Sequence, residues 1–375
     1  MAEFQNESAF CGAGIPVVDL NNDATATKWY STPTQVLLAN IGIPAVLTIG
    51  IPANLAFLFM LYRVPRMRTV TNFYLANLAV SDTLYLCFYS LIYIRSHRRT
   101  PFWPLHENSE AACLTQSVTL DLFYFSSNYL ITLVAVERYY AVCHPLRSLQ
   151  RASPYRRVAL VVVTWALALA FAVVVCPRLG SLQKVCIIWP ETNHLTSQAT
   201  ALTFCWASKQ WSLLLSYCLY VGIWSIGVVA NLVMYVRIVR RLGRRNIGPQ
   251  QNAMNVRNKV ARMLIINSAV FFILQMPRVV VFNVFALVSA SKGGNAMPTG
   301  DAATIFPIAV FLVLLNSAVN PYIFTLTNPK YRQALRDALC CCCPKRRVGV
   351  ATDTGPPEQN DPGNPGTQQT LQTRT

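Results

Sequence analysis

The sequence predicts an all-α membrane protein: a bundle of seven transmembrane helices with a short amphipathic surface helix after the seventh span. Of its 375 residues, 53% are hydrophobic and only 13% are charged. That composition is too apolar for a soluble chain of this length. Apolar windows of the ~20 residues that a helix needs to cross a bilayer also recur along the chain.

Polar, proline-marked or arginine-marked breaks separate the apolar windows. We place the spans at residues 37–62, 72–94, 111–141, 155–177, 211–240, 256–289 and 303–326. Between residues 328 and 339, apolar residues recur at helical spacing and predict the surface helix. Three regions follow: an extracellular N-terminal tail (1–36), the seven-helix domain with its juxtamembrane helix (37–343), and a disordered cytoplasmic tail (344–375).

Basic residues predict the orientation. Of the 32 Lys and Arg, 23 fall in segments that one orientation places in the cytoplasm. This positive-inside bias predicts an outer N-terminus and a cytoplasmic C-terminus. The net charge of +17 would favour nucleic acid in a soluble protein. In a membrane protein, topology and anionic inner-leaflet lipid account for the charge, so membrane lipid is an expected partner and nucleic acid is not.

Two modification sites are predicted near the termini. Four adjacent cysteines follow the last span: Cys340, Cys341, Cys342 and Cys343. A metal site would require spaced ligands, so this run favours juxtamembrane palmitoylation. In the N-terminal tail, Asn6 begins an Asn-Glu-Ser pattern, which is an acceptor for N-glycosylation.

Each span carries at least one marker residue or motif, and the markers follow a fixed order. They are Asn54, Leu78-Ala79-Val80-Ser81-Asp82, Cys113 with Glu137-Arg138-Tyr139, Trp165, Tyr235, Pro277 and Asn320-Pro321. From about Asn54 to Cys343 the chain resembles the rhodopsin-like (class A) G-protein-coupled receptors. The resemblance implies a plasma-membrane receptor, not an enzyme, with a heterotrimeric G protein, arrestin and receptor kinases as cytoplasmic partners.

Asp82 lies in the middle of the second span. A buried carboxylate there must be paired, protonated or bound to an ion. In the family the equivalent Asp helps to hold a sodium ion, and the matching ligands here are Ser127, Asn316, Ser317 and Asn320. A carboxylate that is only hydrogen-bonded is the open alternative. We expect no other cofactor.

Arg138 ends the third span. The resemblance implies that it receives the G protein and that Glu137 holds it in the resting state. The alternative is an interface arginine that only reaches toward water. The other residues that the resemblance assigns to coupling and activation are Tyr139, Tyr235, Arg257, Phe271, Pro277, Asn320, Pro321 and Phe324.

Several positions depart from the family pattern. Gln275 replaces the usual Trp of the sixth span, and Phe324 replaces the usual Tyr of the seventh. Gly227 stands where the fifth span usually has a proline. Arg257 stands where many members carry an acid that restrains the arginine of the third span. Because like charges repel, we expect measurable signalling without ligand.

The resemblance also implies a disulfide at the outer end of the third span. Cys113 is expected to bridge to the second outer loop, with Cys186 as its partner and Cys205 as the alternative.

The sequence narrows the class of ligand. No Lys occurs between Lys292 and Lys330, which excludes a retinal-binding opsin. Leu120 occupies the position of the acid that amine receptors need, and Asp121 is one residue away, about 100° around the helix. The long second outer loop favours a peptide, and the chain is most similar to invertebrate neuropeptide receptors for FMRFamide-like, thyrotropin-releasing-hormone-like or galanin/allatostatin-like peptides.

Ten residues are candidates to line the ligand pocket: Tyr93, Gln116, Asp121, Tyr124, Trp189, Glu191, Gln275, Arg278, Phe282 and Phe306. Arg278 is the most informative, because an arginine one residue past a mid-helix proline must face the pocket or another helix. Facing the pocket, it could pair with a ligand carboxylate or with Asp121; the alternative is an internal structural pair. A class A receptor for a non-peptide ligand and a transporter remain alternatives, although no internal repeat supports a transporter.

Overall fold

The computed structural model describes residues 17–19, 32–97, 109–150, 153–179, 181–188, 200–206, 209–243, 251–291 and 301–339. All of them belong to one unit of the chain, Met1–Leu339. The second unit, Cys340–Thr375, lies outside the described residues.

Within this part of the chain, seven helices are long and apolar enough to cross a membrane. Numbered as the first to seventh spans, they are Pro33–Arg63, Val70–His97, Glu110–Cys143, Pro154–Val175, Gln210–Gly243, Gln251–Ser291 and Asp301–Thr327. The predicted fold class is therefore confirmed. Most spans extend a few residues beyond the apolar windows, because a helix continues into the interface with polar residues that hydropathy does not detect.

The first span contains one turn of a different helix type. It is built from Pro33–Leu37, a π-helical turn at Leu38–Gly42, and Ile43–Arg63. Thr32 caps its start: the Thr32 hydroxyl accepts from the Gln35 amide, and the Gln35 side chain accepts from the Thr32 amide. This capping box satisfies backbone donors that the first turn would otherwise leave open.

The bundle has a polar interior and an apolar surface. Large apolar side chains face outward, including Leu55, Ile226, Val229, Leu232 and Ile273, each at least half exposed. Polar side chains are fully buried inside, including Asn54, Ser81, Asp82, Ser126 and Asn267. A soluble protein has the opposite arrangement, so lipid is the solvent that this surface fits.

The first and seventh spans approach closely at Gly50. A Cβ atom placed on Gly50 would lie 2.6 Å from the Cβ of Ala318. One turn further, the Asn54 side-chain amide donates to the Gly50 carbonyl at 3.0 Å and to the Ser317 carbonyl at 2.9 Å. Small residues and a shared amide therefore fix the distance between these two helices.

A three-stranded sheet covers one end of the bundle. Its strands are β1 (Val17–Asp19), β2 (Ser181–Ile188) and β3 (Thr200–Trp206), in the order β1-β2-β3. β2 and β3 form an antiparallel hairpin, and β1 pairs in parallel with β2. We refer to this end as the hairpin end and to the opposite one as the Arg138 end.

The predicted surface helix is confirmed as Pro329–Leu339, directly after the seventh span. Its buried face consists of Tyr331, Ala334 and Ala338. Asp337, on its exposed side, forms an ion pair with Arg66. The helix is thus fixed to the bundle by apolar packing, with an exposed ion pair at its edge.

Candidate functional site

Asp82 is completely buried at the centre of the bundle. The Ser127 hydroxyl donates to its Oδ1 atom at 3.2 Å, and the Asn320 side-chain amide donates to its Oδ2 atom at 2.7 Å. The Ser317 side chain also lies close to Asp82. The seventh-span residue Asn316 is 1% exposed, and its side-chain oxygen has no hydrogen-bond partner among the described residues. The structure thus brings Ser127, Ser317 and Asn320 onto one carboxylate, with an unsatisfied oxygen on Asn316.

At the Arg138 end, the two charged residues of the Glu-Arg-Tyr sequence contact each other. Arg138 Nε lies 2.9 Å from Glu137 Oε2, in the geometry of an ion pair rather than an aligned hydrogen bond. The Thr71 hydroxyl donates to the same carboxylate oxygen at 2.9 Å. Tyr139 points elsewhere, toward His144 at 3.3 Å and Arg237 at 3.4 Å. Glu137 and Arg138 therefore form an ion pair within the third span.

Tyr235 and Phe324 have different polar and aromatic partners at this end. The Tyr235 hydroxyl is 2.9 Å from the Ser268 hydroxyl. The buried Phe324 ring packs between Phe57, with ring centres 5.2 Å apart, and Tyr331, at 6.0 Å. Burial raises the pKa of the Tyr331 phenol, which stays protonated and donates to the Asn72 side chain. Phe324 thus fills an aromatic cluster that joins the seventh span to the surface helix.

Toward the hairpin end, a buried ion pair joins the third span to the segment after the fourth. Arg178 donates to both Asp121 oxygens, at 2.5 Å and 3.1 Å, and the two side chains are 6% and 1% exposed. The Tyr220 hydroxyl donates to Asp121 Oδ1. The Ser117 hydroxyl donates to Oδ2 at 3.4 Å. Asp121 is therefore paired with Arg178, and the predicted alternative of an Asp121–Arg278 pair is wrong.

A small pocket lies beside this ion pair. It is lined by Tyr124, Tyr217, Tyr220, Arg278, Val279, Phe282 and Asn283. The Arg278 guanidinium carbon lies 4.3 Å from the ring centre of Tyr124, 5.1 Å from that of Tyr220 and 5.3 Å from that of Phe282. Phe282 also stacks on Phe306, with ring centres 4.2 Å apart. The pocket thus combines a cation with several aromatic faces.

Comparison with known proteins identifies the family. The profile of the 7 transmembrane receptor (rhodopsin family) matches residues 53–324. The chain belongs to this family. It is a class A G-protein-coupled receptor and not an enzyme.

The receptor has relatives that are named for neuropeptides. It is 27% identical to somatostatin receptor type 4 of Rattus norvegicus over 341 residues, covering 89% of this chain and 81% of that protein. It is 26% identical to tachykinin-like peptides receptor 86C of Drosophila melanogaster over 296 residues, covering 74% and 53%. Somatostatin receptor type 2 of Mus musculus is 22% identical, covering 85% and 82%. The predicted relation to neuropeptide receptors is confirmed, while the narrower similarity to three invertebrate peptide classes stays a prediction.

The disulfide of the receptor differs from the expected one. Cys113 bonds to Cys205 on β3, so the predicted Cys113–Cys186 bridge is wrong and the alternative partner is the one found. β3 ends at Trp206, four residues before the fifth span, which keeps Cys205 close to the bundle. Cys186 lies in the middle of the sheet, where it pairs with Val17 of β1. Cys186 is itself disulfide-bonded, to a cysteine outside the described residues.

The structure places the predicted pocket residues in three groups. Tyr124, Arg278 and Phe282 line the pocket, and Asp121 and Phe306 contact its walls. Gln116 and Gln275 each have a buried side-chain oxygen without a hydrogen-bond partner among the described residues. For Tyr93 and Arg257 the helix is described but the side chain is not, and Trp189, Glu191, Asn6 and the cysteines at 340–343 lie outside the described residues.

Three important residues were missed from the sequence: Arg178, Tyr217 and Tyr220. Arg178 follows the predicted end of the fourth span, and the structure buries it against Asp121. The sequence did contain a signal for this pairing: an arginine directly after the fourth span and an acid without an assigned partner in the third. A charge near the membrane interior requires a partner. The two tyrosines lie one turn apart in the fifth span, a spacing that places them on one face.

Proposed function

We propose that the receptor binds an extracellular peptide at the hairpin end and that binding opens the Arg138 end to a heterotrimeric G protein. One observation carries the proposal: the third span contributes Tyr124 to the pocket and Arg138 to the opposite end. The two residues are roughly 21 Å apart along the helix axis at 1.5 Å per residue. A shift of this helix relative to its neighbours would therefore change the geometry of both sites.

The peptide class is supported by the pocket and by the relatives. Aromatic faces around a cation suit a side chain or a terminus of a peptide, and the relatives are named for somatostatin and for tachykinin-like peptides. The cytoplasmic partners are the G protein, arrestin and receptor kinases. Two states of one bundle, with the ligand preferring the open one, are sufficient for signalling.

The closed state depends on local contacts of Arg138. Glu137 and Thr71 together hold it against the second span. Since arginine stays charged at any physiological pH, it becomes available to a G protein once these contacts open. Glu137 thus supplies a restraint even though Arg257, at the start of the sixth span, is not the acid that many members have.

A nucleotide-exchange assay tests the proposal. The purified receptor is combined with a panel of G proteins and a neuropeptide library, and exchange is measured with and without peptide. Arg138→Ala should abolish exchange and leave peptide binding unchanged. Arg156→Ala is the matched control, because Arg156 is an exposed arginine that begins the fourth span at the same end. Full exchange with Arg138→Ala would refute the role of Arg138.

We also propose a sodium ion at Asp82. A hard cation takes oxygen ligands from several helices. Asp82, Ser127 and Ser317 supply such oxygens close together, and Asn316 offers a buried oxygen without a hydrogen-bond partner among the described residues. When bound, the ion would balance the Asp82 charge and favour the closed bundle. Sodium should lower agonist affinity in the wild type and have no effect with Asp82→Asn.

The membrane arrangement remains part of the proposal. The basic residues favour an outer N-terminus, so that Asn6 could carry a glycan. Acyl chains on the cysteines at 340–343 would hold the surface helix to the inner leaflet. Glycosidase treatment should shift the apparent mass only while Asn6 is intact. Changing all four cysteines to serine should abolish hydroxylamine-sensitive palmitate labelling.

Cys186 requires a disulfide partner, and we propose Cys11. The described cysteines other than Cys113, Cys186 and Cys205 are free thiols. Of the remaining cysteines, only Cys11 precedes the first span; the other four follow the seventh. The pairing of Val17 with Cys186 in the sheet brings the N-terminal segment to this strand. A peptide map without reduction should link the peptides that contain Cys11 and Cys186, and a Cys186 peptide without this link would contradict the assignment.

A further inference from the structure

Arg178 and Arg278 both lie in the region of Asp121. Asp121 has no acceptor position left for hydrogen bonds from Arg278. A carboxylate offers about four positions for hydrogen-bond donors. Asp121 uses two for Arg178, a third for the Tyr220 hydroxyl and the fourth for the Ser117 hydroxyl. Arg178 therefore neutralises Asp121, and the charge of Arg278 is not balanced by this residue.

Arg278 has no ion pair or hydrogen bond to another described residue. Its Nη1 atom is buried without an acceptor. Among the described residues, the rings of Tyr124, Tyr220 and Phe282 surround the guanidinium, which lies 4.3 to 5.3 Å from their centres. Ring faces attract the positive charge, but they leave the N–H groups of arginine without oxygen acceptors. A cation placed this way within a membrane domain is incomplete without an anion.

Other unsatisfied polar atoms lie near Arg278. The Tyr124 hydroxyl is buried with no partner among the described residues, although its ring is the one closest to the guanidinium. The side-chain oxygen of Gln275, one helical turn before Arg278, is unsatisfied in the same way. The site thus offers guanidinium and hydroxyl donors for an anion. A peptide that ends in a carboxylate, or carries one in a side chain, supplies such an anion.

We propose that the ligand of this receptor binds Arg278 through a carboxylate, with the Tyr124 hydroxyl as a second donor. The residue that carries the carboxylate, or its neighbour, packs on the stacked rings of Phe282 and Phe306. Two sources share this chemistry: the C-terminal carboxylate of a peptide, and an Asp or Glu side chain. The inference rests on the proposed function, because it takes the pocket to be the site of the agonist.

Four synthetic probes separate the two sources. N-acetyl-phenylalanine presents a C-terminal carboxylate, and its amide is the neutral match. N-acetyl-aspartyl-phenylalaninamide presents a side-chain carboxylate, and the asparaginyl compound is its neutral match. Thermal stability of the purified receptor in lipid nanodiscs is measured with each probe, and sodium acetate controls for a simple anion effect. We expect at least one acid to raise the melting temperature more than its amide and more than acetate.

Variants of Arg278 show whether this residue makes the distinction. Arg278→Gln should reduce affinity for the preferred acid by about tenfold or more, because a charge-assisted hydrogen bond is lost. Affinity for the amide should stay the same. Arg278→Glu should reverse the preference, so that phenethylamine stabilises the protein and the acids do not. Lys184→Gln is the matched control, since it removes a positive charge from an exposed site on β2 outside the pocket.

The outcomes separate this inference from the proposed function. Equal shifts with acids, amides and acetate, no shift with any probe, or an acid preference that survives Arg278→Gln would each overturn the inference. If a peptide without any carboxylate drives nucleotide exchange at full potency in Arg278→Gln, the receptor function stands and the carboxylate site is wrong. If the acids bind through Arg278 but no peptide drives exchange, the carboxylate site stands and the peptide-receptor function fails.

Discussion

Removing one partner of the buried Asp121–Arg178 ion pair should destabilise the receptor more than removing one partner of an exposed ion pair. Arg178→Met leaves Asp121, which is 1% exposed, with only two neutral hydroxyl donors. Breaking a buried pair in this way costs about 3–5 kcal/mol, because a charge remains without compensation. We expect the lower end of that range, since Arg278 lies close enough to the same aromatic cluster to supply some compensation.

The exposed pair Arg66–Asp337 is the matched control. Its side chains are 57% and 47% exposed, and a pair of this kind contributes about 0–1 kcal/mol. Arg66→Met should therefore have little effect. The double variant Asp121→Leu with Arg178→Met removes both buried charges and should recover at least half of the loss. Full recovery is not expected, because the Tyr220 hydroxyl then lacks its acceptor.

Apparent melting temperature at a fixed heating rate is a suitable measurement. Membrane receptors unfold irreversibly, so melting temperatures can be compared only when they are measured under the same conditions. Surface expression supplies a second reading in cells. The argument would be refuted if Arg178→Met were no less stable than Arg66→Met. It would also be refuted if the losses of Asp121→Leu and Arg178→Met simply added in the double variant, since partners in one buried network must be coupled.

Three other changes test separate features. Gly50→Val should lower the melting temperature through overpacking, which costs about 1–3 kcal/mol, and Ala318→Gly should restore part of the loss; no restoration would mean that the close approach is unimportant. Cys113→Ser and Cys205→Ser should each lose about 2–4 kcal/mol and the pair no more than either one, so additive losses in surface expression or melting temperature would contradict the bridge. Arg257→Glu should lower nucleotide exchange without ligand, because an acid at that position would add a restraint; unchanged basal exchange would leave Glu137 as the sufficient one.

The position of the hairpin cysteines shows where sequence reasoning was insufficient. Both Cys186 and Cys205 lie on paired strands, and either could in principle have reached Cys113. Two factors distinguish these cysteines in the structure: the hairpin register places Leu182 opposite Cys205, and β1 pairs with β2 beside Cys186. Neither factor has a local sequence signal, because strand register depends on which faces are covered in the folded protein.

Arg278 shows the same limit within the pocket. The sequence indicated that this residue faces the pocket or a neighbouring helix, and left three possible partners. The choice depended on Arg178, which occupies Asp121 from 57 residues away in the chain. A pairing between residues so far apart in the sequence follows from helix packing. Composition and periodicity cannot predict it.

The sequence by itself determined the number of spans, their order, the surface helix and the polar markers that define the family. These features follow from local rules: the length of apolar windows, the cost of charge in lipid and the spacing of residues on a helix. Only the tertiary structure decided the partner of Cys113, the neutralisation of Asp121 by Arg178 and the lack of an ion pair for Arg278 among the described residues. Each of these is a choice among several chemically suitable partners, and distance in the folded bundle makes that choice.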